Sequence, residues 1–161
     1  MTLANDDLAF LQGIAIFGGL IGDALERVAS RLQHREVAAG QLLVTEGEPG
    51  REMFVIRAGA VEVFKALGPV ETRLALLRAG ACFGEMALID IQPRSAGVRA
   101  VEPSTVWSLA HADLSALWKS DPQSFTMIVM NIAREISRRL RRADRLIASI
   151  HRVVAGLEPE G

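Results

Sequence analysis

The chain has 161 residues, half of them apolar, and a formal net charge of −1. That is enough apolar sequence for one domain with a real core, so disorder is excluded, and no global charge draws the chain to nucleic acid or to a membrane surface. Its single cysteine, Cys82, excludes an intrachain disulfide and suits a reducing compartment.

The N-terminal residues carry two aspartates, Asp6 and Asp7, and no basic residue, unlike a secretory signal. The apolar runs fall far short of the roughly 20 residues needed for a membrane span. The chain therefore reads as soluble and cytoplasmic.

Residues 1–35 carry helical signals. Leu8, Leu11 and Ile14 recur at near-helical spacing, and Leu25, Val28, Ala29 and Leu32 form a second stripe after Gly18-Gly19. From residue 36 to 110 the pattern changes to short β-prone runs, at 41–44, 53–57, 60–64, 72–77, 97–101 and 105–109. The breaks fall at Gly47-Glu48-Pro49-Gly50, Gly59, Gly68-Pro69, Gly80 and Glu102-Pro103. Short strands so regularly interrupted predict a sandwich or barrel.

Residues 111–161 return to helix. A first helix over 113–119 places Leu114, Leu117 and Trp118 on one face. Asp121-Pro122 then reads as an N-cap followed by proline in the first turn, opening a helix from about 121 to 157. Along it Phe125, Val129, Ile132, Ile136, Leu140, Ala143, Ile147, Ile150, Val154 and Leu157 recur at steps of three and four, with one irregular step. That is a coiled-coil seam, and it predicts a homodimer. The arginines of this helix (Arg134, Arg138, Arg139, Arg141, Arg142, Arg145 and Arg152) read as a solvated face, and no direct nucleic-acid or membrane contact is expected.

The segment from Phe83 to Ala96, FGEMALIDIQPRSA, combines a glycine turn, a carboxylate and a guanidinium in an apolar setting. Glu85 and Arg94 each need a partner there. They can pair with each other, or grip a ligand offering a hydroxyl and an anion, as a sugar phosphate does. Arginine's planar fork matches a phosphate, a carboxylate accepts from a hydroxyl, and backbone N–H groups after Gly84 add anion-binding dipoles.

This segment closely resembles the phosphate-binding cassette of the cyclic nucleotide-binding domains. Further likeness lies in Ile16-Phe17-Gly18-Gly19-Leu20, in Gly47-Glu48-Pro49-Gly50 with Met53-Phe54-Val55-Ile56, and in Gly59-Ala60-Val61-Glu62-Val63. The resemblance implies a mainly β fold with flanking helices: a jelly-roll-type β-roll with N-terminal helices and a long C-terminal helix, together one cyclic nucleotide-binding domain.

It also implies a ligand, cAMP or cGMP, and no further cofactor or metal. Glu85 is then the acceptor for the ribose 2′-hydroxyl, the alternative being an ion pair with Arg94 or another core arginine. Arg94 clamps the phosphate, and Ser95 donates to it. Gly84 lets the backbone approach closely. Phe83, Met86, Ala87 and Ala96 complete the cassette's contacts, and Val63 and Leu74 line the pocket from neighbouring strands. Where catabolite-activator-like members place base-reading hydroxyls on the last helix, this chain has Ala143 and Asp144. Asp144 is accordingly a candidate guanine reader.

The implied function is a non-enzymatic cyclic-nucleotide sensor that couples ligand binding to helix movement. After Leu157 only Glu158-Pro159-Glu160-Gly161 remains, which leaves no room for a helix-turn-helix. The alternative is thus the sensor fragment of a Crp-like transcription factor. A ligand-dead dimerisation module and a cupin-type enzyme fit less well. The second needs clustered histidines, and His34, His111 and His151 are scattered.

Overall fold

The computed structural model describes residues 5–156. Two helices, α1 (Asn5–Gln12) and α2 (Asp23–Ala29), flank a 3-10 turn at Ala15–Phe17. Eight strands follow: β1 (Gln33–Val37), β2 (Leu42–Val44), β3 (Glu52–Ala58), β4 (Ala60–Leu67), β5 (Val70–Arg78), β6 (Cys82–Phe83), β7 (Gly97–Ala100) and β8 (Ser104–Ala110). Between β6 and β7 lies the short α3 (Met86–Ile89). The chain ends in α4 (His111–Ser120) and α5 (Pro122–Ala155).

The strands form two four-stranded sheets, ordered β1-β8-β3-β6 and β2-β7-β4-β5, with antiparallel pairing throughout. The architecture is a β-roll with flanking helices and a long C-terminal helix. The inner strands β3 and β8 of the first sheet are buried on both faces, so buried residues run consecutively along them. On β3, Phe54 and Ile56 face the second sheet and pack with its Val61 and Val98 and with Phe83 and Val106 of their own sheet. Met53 and Val55 face the helices and pack with Trp107, Leu109, Leu114, Leu117, Ile128 and Ile132. This alternation follows from the pleat of a strand.

Two strands escape the sequence reading. β1, with the sequence QHREV, is polar because it is an edge strand paired only with β8, so the sheet begins at Gln33 rather than at residue 36. Arg35 there pairs with Glu52 of β3 at 2.7 Å. β6 is two residues long, and only its pairing with Phe54 and Val55 makes it a strand. Trp118, expected beside Leu114 and Leu117, is instead exposed, with its ring edge-on to Phe125.

The predicted seam divides into two parts. Ile132 is fully buried, and Phe125, Val129 and Ile136 pack against the helical core cluster. Asn131 secures this half by donating to the carbonyls of Ile16 at 3.1 Å and Gly18 at 2.8 Å. Beyond it the helix leaves the domain. Leu140 is 61% exposed and Ile147 65%, with Ile150 and Val154 also exposed. Leu157 lies outside the described residues.

α5 starts where the sequence places its cap. The Asp121 carboxylate accepts from Ser124 N at 3.1 Å and Ser124 Oγ at 2.6 Å, and from Arg27 Nη2 of α2 at 2.7 Å. These bonds, those from Ser124 first, hold its pKa down at about 2. A carboxylate depressed in the fold adds stability above its unfolded pKa, roughly 3.9, and loses it as pH falls towards 2. Asp121→Asn keeps an N-cap side chain but removes the titration. Thermal unfolding between pH 5 and pH 2 should show a smaller acid loss in the variant than in the parent; equal losses would contradict this role.

Candidate functional site

A cavity of about 400 Å³ opens between the inner face of the second sheet, the Phe83–Ala96 segment and α5. Phe83, Gly84, Glu85, Met86, Ala87, Arg94, Ser95 and Ala96 all border it, as does Val63 of β4. The opposite wall is apolar, built from Val44, Ala75, Leu77 and Val98.

Two sequence candidates stand elsewhere. Leu74 is 56% exposed and does not line the cavity. Val63 pairs with Ala75, but the next residue, Phe64, pairs with Arg73, so Leu74 is the extra residue of a β-bulge. The bulge leaves Ala75 and Leu77 as the inward residues of β5. Asp144, on the outlying half of α5, is also exposed and outside the lining; from that helix Arg139 and Arg142 reach the cavity instead.

Arg94 is held from two directions. Its backbone is tied to the upstream glycine turn: Arg94 N donates to Glu48 O at 2.8 Å, and Gly47 N donates to Arg94 O at 2.9 Å. Its side chain donates from Nη2 to Glu52 O at 2.8 Å and from Nη1 to Gly84 O at 3.4 Å. Partial burial lowers its pKa, against the opposing pull of Glu52 and Glu85. Glycine is required at residue 84 on two counts. Its φ is +75°, and an added Cβ would stand 2.6 Å from Arg94 Nη1 and 3.1 Å from Glu52 O. Gly50 is similarly constrained, since a Cβ there would meet Arg94 Nε at 2.8 Å.

Glu85 is only 2% exposed. Its partner is Arg139, not Arg94. Arg139 Nη1 donates to Glu85 Oε1 at 2.8 Å, its Nη2 donates to Cys82 O at 2.9 Å, and its Nε donates to Glu135 Oε1 at 3.3 Å. Glu85 Oε2 is buried with no hydrogen-bond partner among the described residues. A buried carboxylate oxygen left unpaired, on a residue that borders the cavity, has acceptor capacity to spare for a ligand hydroxyl. Beside this pair the buried Cys82 thiol is pushed up to about 12, mainly by burial and next by Glu85, so it stays a protonated packing residue.

The family model for the cyclic nucleotide-binding domain matches residues 34–121, more than half of the chain. The chain belongs to the cyclic nucleotide-binding domain family. It is 34% identical over 135 residues to the cyclic AMP receptor protein of Thermus thermophilus, covering 83% of this chain and 61% of that protein. It is 39% identical over 113 residues to a cyclic nucleotide-gated potassium channel of Mesorhizobium japonicum, covering 70% of this chain and 30% of the channel. A solved cyclic nucleotide-binding domain from Methylobacillus flagellatus superposes with a TM-score of 0.79 at 27% identity, covering 89% of this chain and 84% of that one. The chain thus spans less than two thirds of either curated relative.

Within this cyclic nucleotide-binding domain, Arg139 is one of the seven arginines of α5 that the sequence pattern assigns to a solvated face. Its spacing carries no mark that sets it apart; only the packing of α5 brings it to Glu85. Among the described residues no cluster of three metal-ligating side chains occurs, and no helix is long and apolar enough to cross a membrane.

Removing Arg139 strands a buried carboxylate. Arg139→Met should cost about 1–3 kcal/mol in urea unfolding. Adding Glu85→Gln in the same chain should recover much of that loss, because the uncompensated charge is gone. Equal stabilities of the single and double variants would contradict the pairing.

Proposed function

We propose that this chain is a non-enzymatic sensor domain for cAMP or cGMP, in which ligand binding resets the position of α5. The observation that carries the reading is the Glu85 carboxylate, buried at the cavity edge with one oxygen held by α5 and the other unpaired. A ribose 2′-hydroxyl donates to the unpaired oxygen, and the cyclic phosphate lies against Arg94 and Ser95. The apolar wall of Val63, Leu77 and Val98 takes the base. Because Arg139 ties Glu85 to α5, any ligand that engages Glu85 acts directly on the helix, shifting its equilibrium between positions.

The relatives carry this kind of domain within longer proteins, one a receptor protein and one a channel. That diversity supports a regulatory module whose output is set by what it is joined to. A sensor fragment of a Crp-like transcription factor is the second reading, favoured by the similarity to the Thermus receptor protein. Calorimetric titration with cAMP and cGMP tests the proposal. The parent should bind, and Arg94→Ala should weaken binding at least roughly 30-fold through loss of a charge-assisted phosphate contact. Glu85→Ala should weaken the ribonucleotide far more than its 2′-deoxy analogue. A parent that binds neither nucleotide would remove the reading.

Assembly follows from the exposed half of α5. Leu140, Ile147, Ile150 and Val154 form an apolar row about 20 Å long, at 1.5 Å per residue, with nothing of their own domain against it. A second copy offers the same three-four spacing, so the proposed occupant is the partner helix of a homodimer. Leu140→Glu with Ile147→Glu should give a folded monomer in sedimentation, since like charges would otherwise be buried across the seam. A parent that is monomeric at tens of micromolar would overturn the dimer.

A further inference from the structure

The cavity presents two guanidinium groups from α5, and they differ in their commitments. Arg139 is spent on Glu85, Glu135 and the Cys82 carbonyl. Arg142 also borders the cavity and makes no ion pair or side-chain hydrogen bond among the described residues. It follows Arg139 by three residues, about 4.5 Å along the helix axis, on the stretch that leaves the domain. With the sugar at Glu85 and the phosphate at Arg94, the exposed and uncommitted Arg142 is the cation that α5 adds to the lining for the remaining part of the nucleotide, the base. The sheet wall proposed to take the base is apolar: Val63, Ala75 and Leu77 offer no side-chain donor or acceptor.

An uncommitted arginine fork facing a purine discriminates by hydrogen-bond pattern. Guanine offers two acceptors on one edge, O6 and N7, and a guanidinium meets both with parallel donors. Adenine offers N7 beside the N6 amino group, a donor that faces the arginine's own donors. The matching logic belongs to the base edge and holds for a free nucleotide as it does in a DNA groove. We infer that Arg142 is a specificity-determining residue that selects 6-oxopurine cyclic nucleotides, with cGMP as the preferred ligand, through O6 and N7. The inference rests on the cyclic-nucleotide reading above, and it moves base recognition from Asp144 to Arg142.

Three probes separate the possibilities: cGMP, cAMP and cyclic inosine monophosphate, which keeps O6 and N7 but lacks the 2-amino group. The parent should bind cGMP and the inosine nucleotide with similar affinity, each roughly ten-fold tighter than cAMP. Arg142→Ala should bring both affinity ratios towards one. Arg142→Lys, which keeps the charge but loses the fork, should restore little of the selectivity. Asp144→Ala should leave the ratios unchanged. A parent that prefers cAMP, or an Arg142→Ala that weakens all three nucleotides equally, would overturn the inference while leaving the sensor reading intact. A preference for cGMP over the inosine nucleotide that disappears in Asp144→Ala would overturn it in favour of the carboxylate. Absence of binding by all three would overturn the sensor reading, and this inference with it.

Discussion

The pair between Glu85 and Arg139 is the contact on which the functional architecture depends. Glu85 belongs to the Phe83–Ala96 segment, Arg139 to a helix more than fifty residues further on. A carboxylate so deeply buried is tolerable only with a cationic or hydrogen-bonding partner. Arg139 provides one and at the same time holds the Cys82 carbonyl at the start of β6. Roll and helix therefore share one charged joint at the cavity edge. In the proposed sensor, a ligand that changes what the carboxylate sees would change what holds the helix.

The fold surrounds this joint with packed and hydrogen-bonded elements. The strands β8 and β3 are packed on both faces, between the helical cluster and the second sheet. Arg94 is fixed by backbone bonds to Glu48 and Gly47, and its side chain rests on the carbonyls of Glu52 and Gly84. The glycine turn at residues 47–50 and the cassette at 83–96 are thus one physical unit, although they are well separated in the chain. That is why both appear together as sequence signals. Gly50 and Gly84 leave space that the Arg94 side chain fills.

α5 carries two different commitments on one helix. Its first half is core, anchored by Ile128, Ile132 and Asn131. Its second half projects an apolar row bordered by arginines, with Arg139 at the boundary between the two. A helix anchored at one end and uncovered at the other can transmit a small rotation at the anchor as a large displacement at the tip. The proposed dimer seam and the proposed ligand joint meet at this boundary, so assembly and ligand occupancy bear on the same helix.

Elements whose signals are local were legible in the amino-acid sequence. Glycine turns and β-prone runs marked six of the strands, Asp121-Pro122 marked the start of α5, and the cassette marked eight residues that the fold gathers round one cavity. Local pattern is informative there because capping, turn conformation and pleat alternation depend on near neighbours. Tertiary structure alone decided the rest. β1 is polar and β6 is two residues long, so only pairing makes them strands. Leu74 was misplaced because a bulge shifts the register of β5, and periodicity does not reveal a bulge. The seam of α5 reads as one continuous pattern, yet half of it is buried in its own domain, because burial depends on what the fold sets opposite each face. Arg139 and Arg142 looked like their neighbours on a basic helix; the angle at which α5 packs against the roll singles them out.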